Sequence, residues 1–420
     1  MFRLCGKTFE YYGVMAILPG SNGLSKLPKR VDYIKKKEGW IVSRYGEERI
    51  RPVWVEVDLE AIADNVRKIR EVIGAKPKIM AVVKAEAYGH GAVAVAKTAV
   101  SAGAEWLGVA IPEEGIALRN AGIDQPILVF GPLLPEQAGQ FCTHRLTGSI
   151  TTFESALALS REAERRGIEA AVHVKVDTGM GRVGIQPREA EAFIRRLLTL
   201  PRIKVEGIYS HFATADEEDL TYAYHQLAVF QRVLSDLERA GIDLPLKHLA
   251  NSAGMLNIPE SRFDLVRAGI ILYGLYPSPA FNRNLISVRP AFTLKARVTQ
   301  VKRVPPGTGI SYGQHYQTKK ETNILTLPLG YADGWIRALS GKARVLVKGR
   351  SYPLVGTICM DQCMAEVGDT QVEVGEEVVL IGKQGREEIT VDQIAALLDT
   401  INYEVVCMIS DRVPRVYTRI

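Results

Sequence analysis

The chain has 420 residues, 47% hydrophobic and 24% charged, the balance of a globular protein with room for one or two domains. It contains no run of about 18 uninterrupted apolar residues, which excludes an ordinary membrane-spanning helix. The net charge of +6 sits in residues 1–51, which carry 11 Lys/Arg against 5 Asp/Glu. The remainder carries 42 of each, so the body of the molecule has no basic surplus for nucleic acid.

Residues 1–50 read as a basic extension with Lys35-Lys36-Lys37 at its centre and no assignable role. The apolar stretch 11–18 is short, is interrupted by Gly13 and lacks a small-residue cleavage site, so it makes a poor signal peptide; Met15 offers an alternative start. Five cysteines (Cys5, Cys142, Cys359, Cys363, Cys407) make an odd count without a Cys-x-x-Cys pair. That pattern fits neither a disulfide framework nor a zinc site, and points to a reducing cytoplasm.

From residue 53 the pattern becomes regular. Positions 53–58 alternate like a strand, and Asp58 can cap a helix carrying Ile62, Val66, Ile69 and Val72 on one face. Apolar strand candidates recur near 78–83, 106–110, 127–130, 147–151, 172–176, 204–210, 246–250 and 263–267. Helical patterns fall between them, among them 153–166, 188–200 and 220–240. Eight strands alternating with helices over 51–287 predict a (β/α)8 TIM-type barrel, although a doubly wound sheet shares the alternation. The polar residues favour the barrel: Lys84, Lys175 to Arg182, His211, Asn251-Ser252 and Arg267 all fall at carboxyl ends of strands, where barrels place their chemistry. Beyond 288 the texture changes to short alternating strands, predicting a mostly β C-terminal domain over 288–420 that the strand at 51–58 is expected to join. Its one clear predicted helix, 390–398, opens with a Thr390-x-x-Gln393 capping box.

The most telling stretch is Ala81-Val-Val-Lys-Ala-Glu-Ala-Tyr-Gly-His-Gly91. A lysine at the mouth of a buried strand is partly desolvated, which disfavours the ammonium form and leaves the amine a Schiff base requires. The string resembles the signature of the alanine racemases, pyridoxal-phosphate enzymes built on a barrel; Glu86 stands where that family usually has Asp or Asn. The resemblance covers about 51–418 and implies pyridoxal phosphate bound at Lys84. It also implies a homodimer with shared active sites and a cytoplasmic enzyme that interconverts L- and D-alanine, supplying D-alanine for peptidoglycan.

The same resemblance assigns the remaining residues. In His173-Val-Lys-Val-Asp-Thr-Gly-Met-Gly-Arg-Val-Gly184, Arg182 matches the arginine that meets the cofactor's phenolic oxygen and the substrate carboxylate, and Lys175 is a candidate for carbamylation. Read from the residues alone, Lys175 would pair with Asp177. His211 is expected to support Arg267 and Tyr312. Tyr88, Asn251, Ser252, Gly269, Ile270 and Tyr403 are expected around the phosphate. Arg267 is expected at the pyridine nitrogen, where a cation weakens the electron sink and restrains side reactions; the residues alone allow an ion pair at a strand end. Gly309-Ile-Ser-Tyr-Gly313 supplies Tyr312, the match to the family's second base, and Met360 lines the substrate site, both reaching the partner subunit. Tyr331 and Asp361 lie in two further matching strings and are expected to support the site. Racemisation takes a proton from one face of a planar carbon and returns one to the other, so Lys84 and Tyr312 on opposite faces make chemical sense. The competing readings are a racemase of serine, of basic amino acids or of broad specificity, a barrel-type decarboxylase, and a non-catalytic cofactor carrier. Arg267, and the missing His-x-Gly-Ser-Gly string, speak against the decarboxylase. No metal is expected.

Overall fold

The computed structural model describes residues 51–419, with the backbone of Ile34–Lys36 and Gly39–Val42. The expectations placed on Cys5, 11–18 and Met15 lie outside the described residues. The apolar runs form eight parallel strands: Lys78–Val82, Trp106–Val109, Ile127–Pro132, Thr147–Ile150, Ala170–Lys175, Ile203–Tyr209, Leu246–His248 and Leu265–Ala268. They read as nearly continuous hydrophobic segments because both of their faces are buried. Neighbours pair in chain order, and the eighth strand returns to the first with Arg267 opposite Met80. Between the seventh and eighth, Asp264 N–H donates to Lys247 O and Arg267 N–H to Ala250 O, each at 3.0 Å, which closes the barrel.

Inward positions hold Met80, Trp106, Leu128, Tyr209, Leu246 and Leu265, a packed core and not a pore. Outward positions pack on the helices. Leu59–Ile73 starts where Asp58 accepts from Ala61 N–H at 3.0 Å. It buries Ile62, Val66, Ile69 and Ile73; Val72 is only half-buried, because 3.6 residues per turn bring position 73 and not 72 onto the inner face. Phe153–Arg166 matches its predicted span, capped by Thr152 and closed by a left-handed Gly167. The helix predicted over 188–200 is shorter, Ala190–Leu198, because Pro187 opens a 3₁₀ turn ahead of it.

The C-terminal strands build a largely antiparallel sheet in which Val53–Asp58 is central, pairing antiparallel with Phe292–Arg297 and parallel with Arg415–Thr418. The extension contributes to this sheet. Gly39–Val42 pairs antiparallel with Arg415–Thr418 and turns back against Ile34–Lys36, so the final strand is not an edge. Val391–Leu398 forms behind its capping box, Gln393 N–H to Thr390 Oγ1 at 3.1 Å and Thr390 N–H to Gln393 Oε1 at 2.8 Å. It is not the only helix of this region: Asn402–Met408 follows it and faces the barrel's open end.

Candidate active site

Lys84 follows the first strand, and the backbone behind it takes a conformation that its residue types do not favour. Ala85, Glu86, Ala87 and Tyr88 all have φ between 52° and 54°, a full left-handed turn built from residues with side chains. Each costs on the order of 1–2 kcal/mol against the right-handed form, so the surroundings must hold it. Ala87 N–H donates to Val83 O at 3.0 Å and Gly91 N–H to Glu86 O at 2.7 Å. Glu114 Oε1 accepts from Ala85 N–H at 2.6 Å, while its Oε2 accepts from Ala110 N–H at 2.7 Å, tying the first strand's exit to the second's. Glu86 accepts from Ala92 N–H at 3.3 Å and so reaches the start of the following helix. Fully buried His90 donates from Nδ1 to Ala87 O and Tyr88 O, at 3.1 and 2.9 Å.

Burial pushes the His90 pKa down to about 4. The unfolded chain therefore binds a proton there between about pH 6.5 and 4 that the folded chain does not, and stability rises with pH across that window. About 3 kcal/mol is present above the upper limit and lost as pH falls towards the lower one. Urea unfolding at about pH 7 and about pH 5 should show roughly half of this loss, and a His90→Asn variant, which keeps a donor for the turn, should show a shallower dependence on pH.

The left-handed turn points Lys84 and Tyr88 into a cavity of about 770 Å³ at the carboxyl ends of the strands. Lys84 is half-buried, and burial first and Arg182 second hold its amine below the ordinary lysine range. Opposite, Ser252 Oγ accepts from Gly269 N–H at 2.9 Å, with the Tyr88 hydroxyl beside them. Asn251 Oδ1 accepts from Gly254 N–H, shaping the loop after the seventh strand. Ile270 and Tyr403 complete this end of the cavity, and the Tyr88 and Tyr403 rings lie 6.0 Å apart.

At the other end Arg267 is 3% exposed and has no carboxylate in ion-pair range among the described residues. The ion pair that the residues alone allowed is absent. The guanidinium instead donates to Ser210 O (2.7 Å), Leu249 O (2.8 Å), His211 Nδ1 (3.1 Å) and His248 Nδ1 (2.9 Å). Burial still pushes its pKa down to about 10, leaving it charged. Because arginine can only donate, His211 must be neutral at Nδ1, and burial with Arg267 and Lys175 nearby holds its pKa well below the usual histidine range.

Lys175 does not pair with Asp177. That carboxylate accepts from Gly179 N–H and Gly181 N–H, folding the loop that carries the exposed Arg182 to the cavity. Lys175, 6% exposed, has its Nζ 3.4 Å from Val176 O and 4.9 Å from the Tyr209 ring. Burial first, and then Arg267, hold its pKa well below the ordinary value. Burial and two nearby arginines disfavour the ammonium form of Lys175, and the neutral amine is the form of a lysine that reacts with carbon dioxide.

Tyr312, Met360, Tyr331 and Asp361 do not enter this cavity. Tyr312 is 70% exposed and Met360 53%, on turns held together by Thr357 Oγ1 donating to Tyr312 O and Ala332 N–H donating to Met360 O. Asp361 accepts from Arg412, and Tyr331 opens the turn that buries Asp333 against Arg51. These groups form a separate outward surface of the same chain. Sequence reasoning missed Phe130, Gly131, Tyr209 and Cys407, all of which line the cavity. For Tyr209 a signal existed: it shares inward parity with Gly207 at the end of a predicted strand.

The residues fit pyridoxal phosphate. A Cβ on Gly269 would come within 3.1 Å of the Tyr88 hydroxyl and 3.4 Å of Ser252 Oγ, so the absent side chain leaves a polar cradle of the size a phosphate oxygen needs. Lys84 and Arg267 line the same cavity.

Two family models match the chain: "Alanine racemase, N-terminal domain" over residues 57–277 and "Alanine racemase, C-terminal domain" over 291–417. The alanine racemase of Halothermothrix orenii is 49% identical over 368 residues, covering 87% of this chain and 97% of that protein. Among solved structures, an alanine racemase of Clostridium difficile superposes with a TM-score of 0.84 at 42% identity, covering 87% and 96% of the two chains. That of Bacillus anthracis, solved with bound L-Ala-P, gives 0.84 at 41% identity over 89% and 96%.

Proposed function

The chain belongs to the alanine racemase family, and on that premise we propose that it interconverts L- and D-alanine with pyridoxal phosphate bound at Lys84. The observation that carries the reading is the conjunction, in one cavity, of a desolvated lysine and a buried arginine with no carboxylate partner. Bound pyridoxal phosphate supplies an electron sink that makes the α-proton of an attached amino acid acidic.

The protein's own groups do the rest. Tyr88, Ser252 and Gly269 hold the phosphate, with Asn251, Ile270 and Tyr403 around it. Arg182 orients the substrate carboxylate through its bidentate fork, steadied by Lys175 in its carbamylated, anionic form. Arg267 would present a cation to the ring nitrogen, which would favour return of the proton to the α-carbon over other outcomes. Lys84 takes the proton from D-alanine on one face. On the other face the partner subunit's Tyr312 takes it from L-alanine, with the partner subunit's Met360 limiting the space for the side chain and Tyr331 and Asp361 holding that surface in shape. The separation of Tyr312 from this chain's cavity, together with its exposure, supports a homodimer that completes two sites at once. The cysteine pattern supports a cytoplasmic setting, in which D-alanine would serve peptidoglycan assembly.

Purified protein with added pyridoxal phosphate should racemise alanine in both directions in coupled stereospecific assays, with serine, lysine and arginine turned over far more slowly. Faster turnover of one of these would move the substrate and keep the cofactor and bases. Binding of cofactor without any racemisation would favour the carrier.

A further inference from the structure

Arg267 is the first member of a buried chain whose further members have no part in the reaction described above. Its Nη1 donates to His248 Nδ1 at 2.9 Å, and His248 Nε2 lies 2.9 Å from His173 Nδ1. His173 Nε2 is fully buried, has no hydrogen-bond partner, and faces Glu206 Oε2 at 3.9 Å. Both imidazoles are wholly buried. The register explains the alignment: Lys175, Tyr209 and His248 stand level on the fifth, sixth and seventh strands, with the Tyr209 and His248 rings stacked at 4.8 Å. Gly207 makes room for His173, since a Cβ there would lie 2.9 Å from its ring.

We propose that His173 and Glu206 are positioning residues for Arg267, acting through His248 by fixing one proton order along the chain. Arginine can only donate and an ionised carboxylate can only accept. A file of neutral imidazoles between them has a single arrangement free of donor–donor clashes, with every Nδ1 accepting and every Nε2 carrying the proton, the last of these directed at Glu206 from 3.9 Å. A proton on His248 Nδ1 sets a donor directly against the guanidinium, and a proton on His173 Nδ1 sets one against His248 Nε2–H, a clash relieved only by moving the His248 proton to Nδ1; either way Arg267 would lose a hold. Glu206, its side chain one-fifth exposed and paired with Lys204 at 3.4 Å, terminates the file. The effect on turnover rests on the racemase reading above; the proton order does not.

The test is nitrogen NMR of the cofactor-loaded, histidine-labelled full chain at neutral pH, beside alanine kinetics for Glu206→Gln and Glu206→Leu. His173 and His248 should both be neutral with the proton on Nε2. Glu206→Gln, which keeps an acceptor oxygen, should retain that order and a near-normal kcat. Glu206→Leu should mix the tautomers and lower kcat about tenfold, with KM for alanine changed less than about twofold. Gly207→Ala, which crowds His173 without removing a polar group, should mix the tautomers likewise. A wild-type protein with either histidine protonated on Nδ1 would overturn the proposal, as would a Glu206→Leu variant matching wild type in tautomers and kcat. If the order is present and alanine is not racemised, the functional reading fails and the proton order stands.

Discussion

Replacement of Lys84 by alanine is expected to lower alanine racemisation by at least about 10⁴-fold in both directions, because it removes the covalent anchor and one of the two bases together. The absorbance of lysine-bound cofactor should vanish, and borohydride should no longer fix cofactor to the protein. Stability should hardly change. Lys84 is half-buried at a cavity wall with its amine already desolvated, and the left-handed turn behind it is held by Glu114, His90 and backbone bonds that the substitution leaves intact. A variant that unfolded would instead place the lysine in the scaffold.

Tyr312→Phe has the second largest expected effect and the more discriminating signature. The hydroxyl is the only group removed, and the ring is 70% exposed within its own chain, so the unfolding free energy should stay within the range of surface substitutions, about 0.5 kcal/mol. Racemisation should fall by about 10²–10⁴-fold, the contribution of one acid–base group. In heavy water the two enantiomers should part company. D-Alanine should still exchange its α-hydrogen at the Lys84 face, while L-alanine should lose exchange along with turnover. A variant racemising at full rate in both directions would remove Tyr312 from the reaction.

The barrel and its chemical face are written plainly in the chain. Five of the eight strands are apolar runs that lead to Lys, His, Asn or Arg, and those ends converge because parallel strands put all their carboxyl termini on one side. The grouping of Ser252, Gly269 and Tyr88 is equally legible, since they occupy recognisable strings and the fold brings them together in one cavity. Other parts depend on tertiary structure. Nothing local in Ala85-Glu-Ala-Tyr88 favours a left-handed turn, as alanine and glutamate are good right-handed helix formers; distant Glu114 enforces it. Asn402–Met408 is only seven residues long and has no capping side chain, too short for periodicity to detect. The file from Arg267 to Glu206 joins four strands, and only their register reveals it.

The place of Val53–Asp58 bears on how the polypeptide is made. This strand leaves the ribosome before any of the barrel, yet its partners are Phe292–Arg297 and Arg415–Thr418. The barrel can assemble during synthesis from neighbouring βα units, whose contacts are local and quick to form. The first strand must wait, its buried valines exposed, until nearly the whole chain has emerged. Sheet completion is then a late, post-translational event of high contact order. A nascent chain stalled after the barrel should carry an unpaired hydrophobic strand, the kind of segment that recruits chaperones.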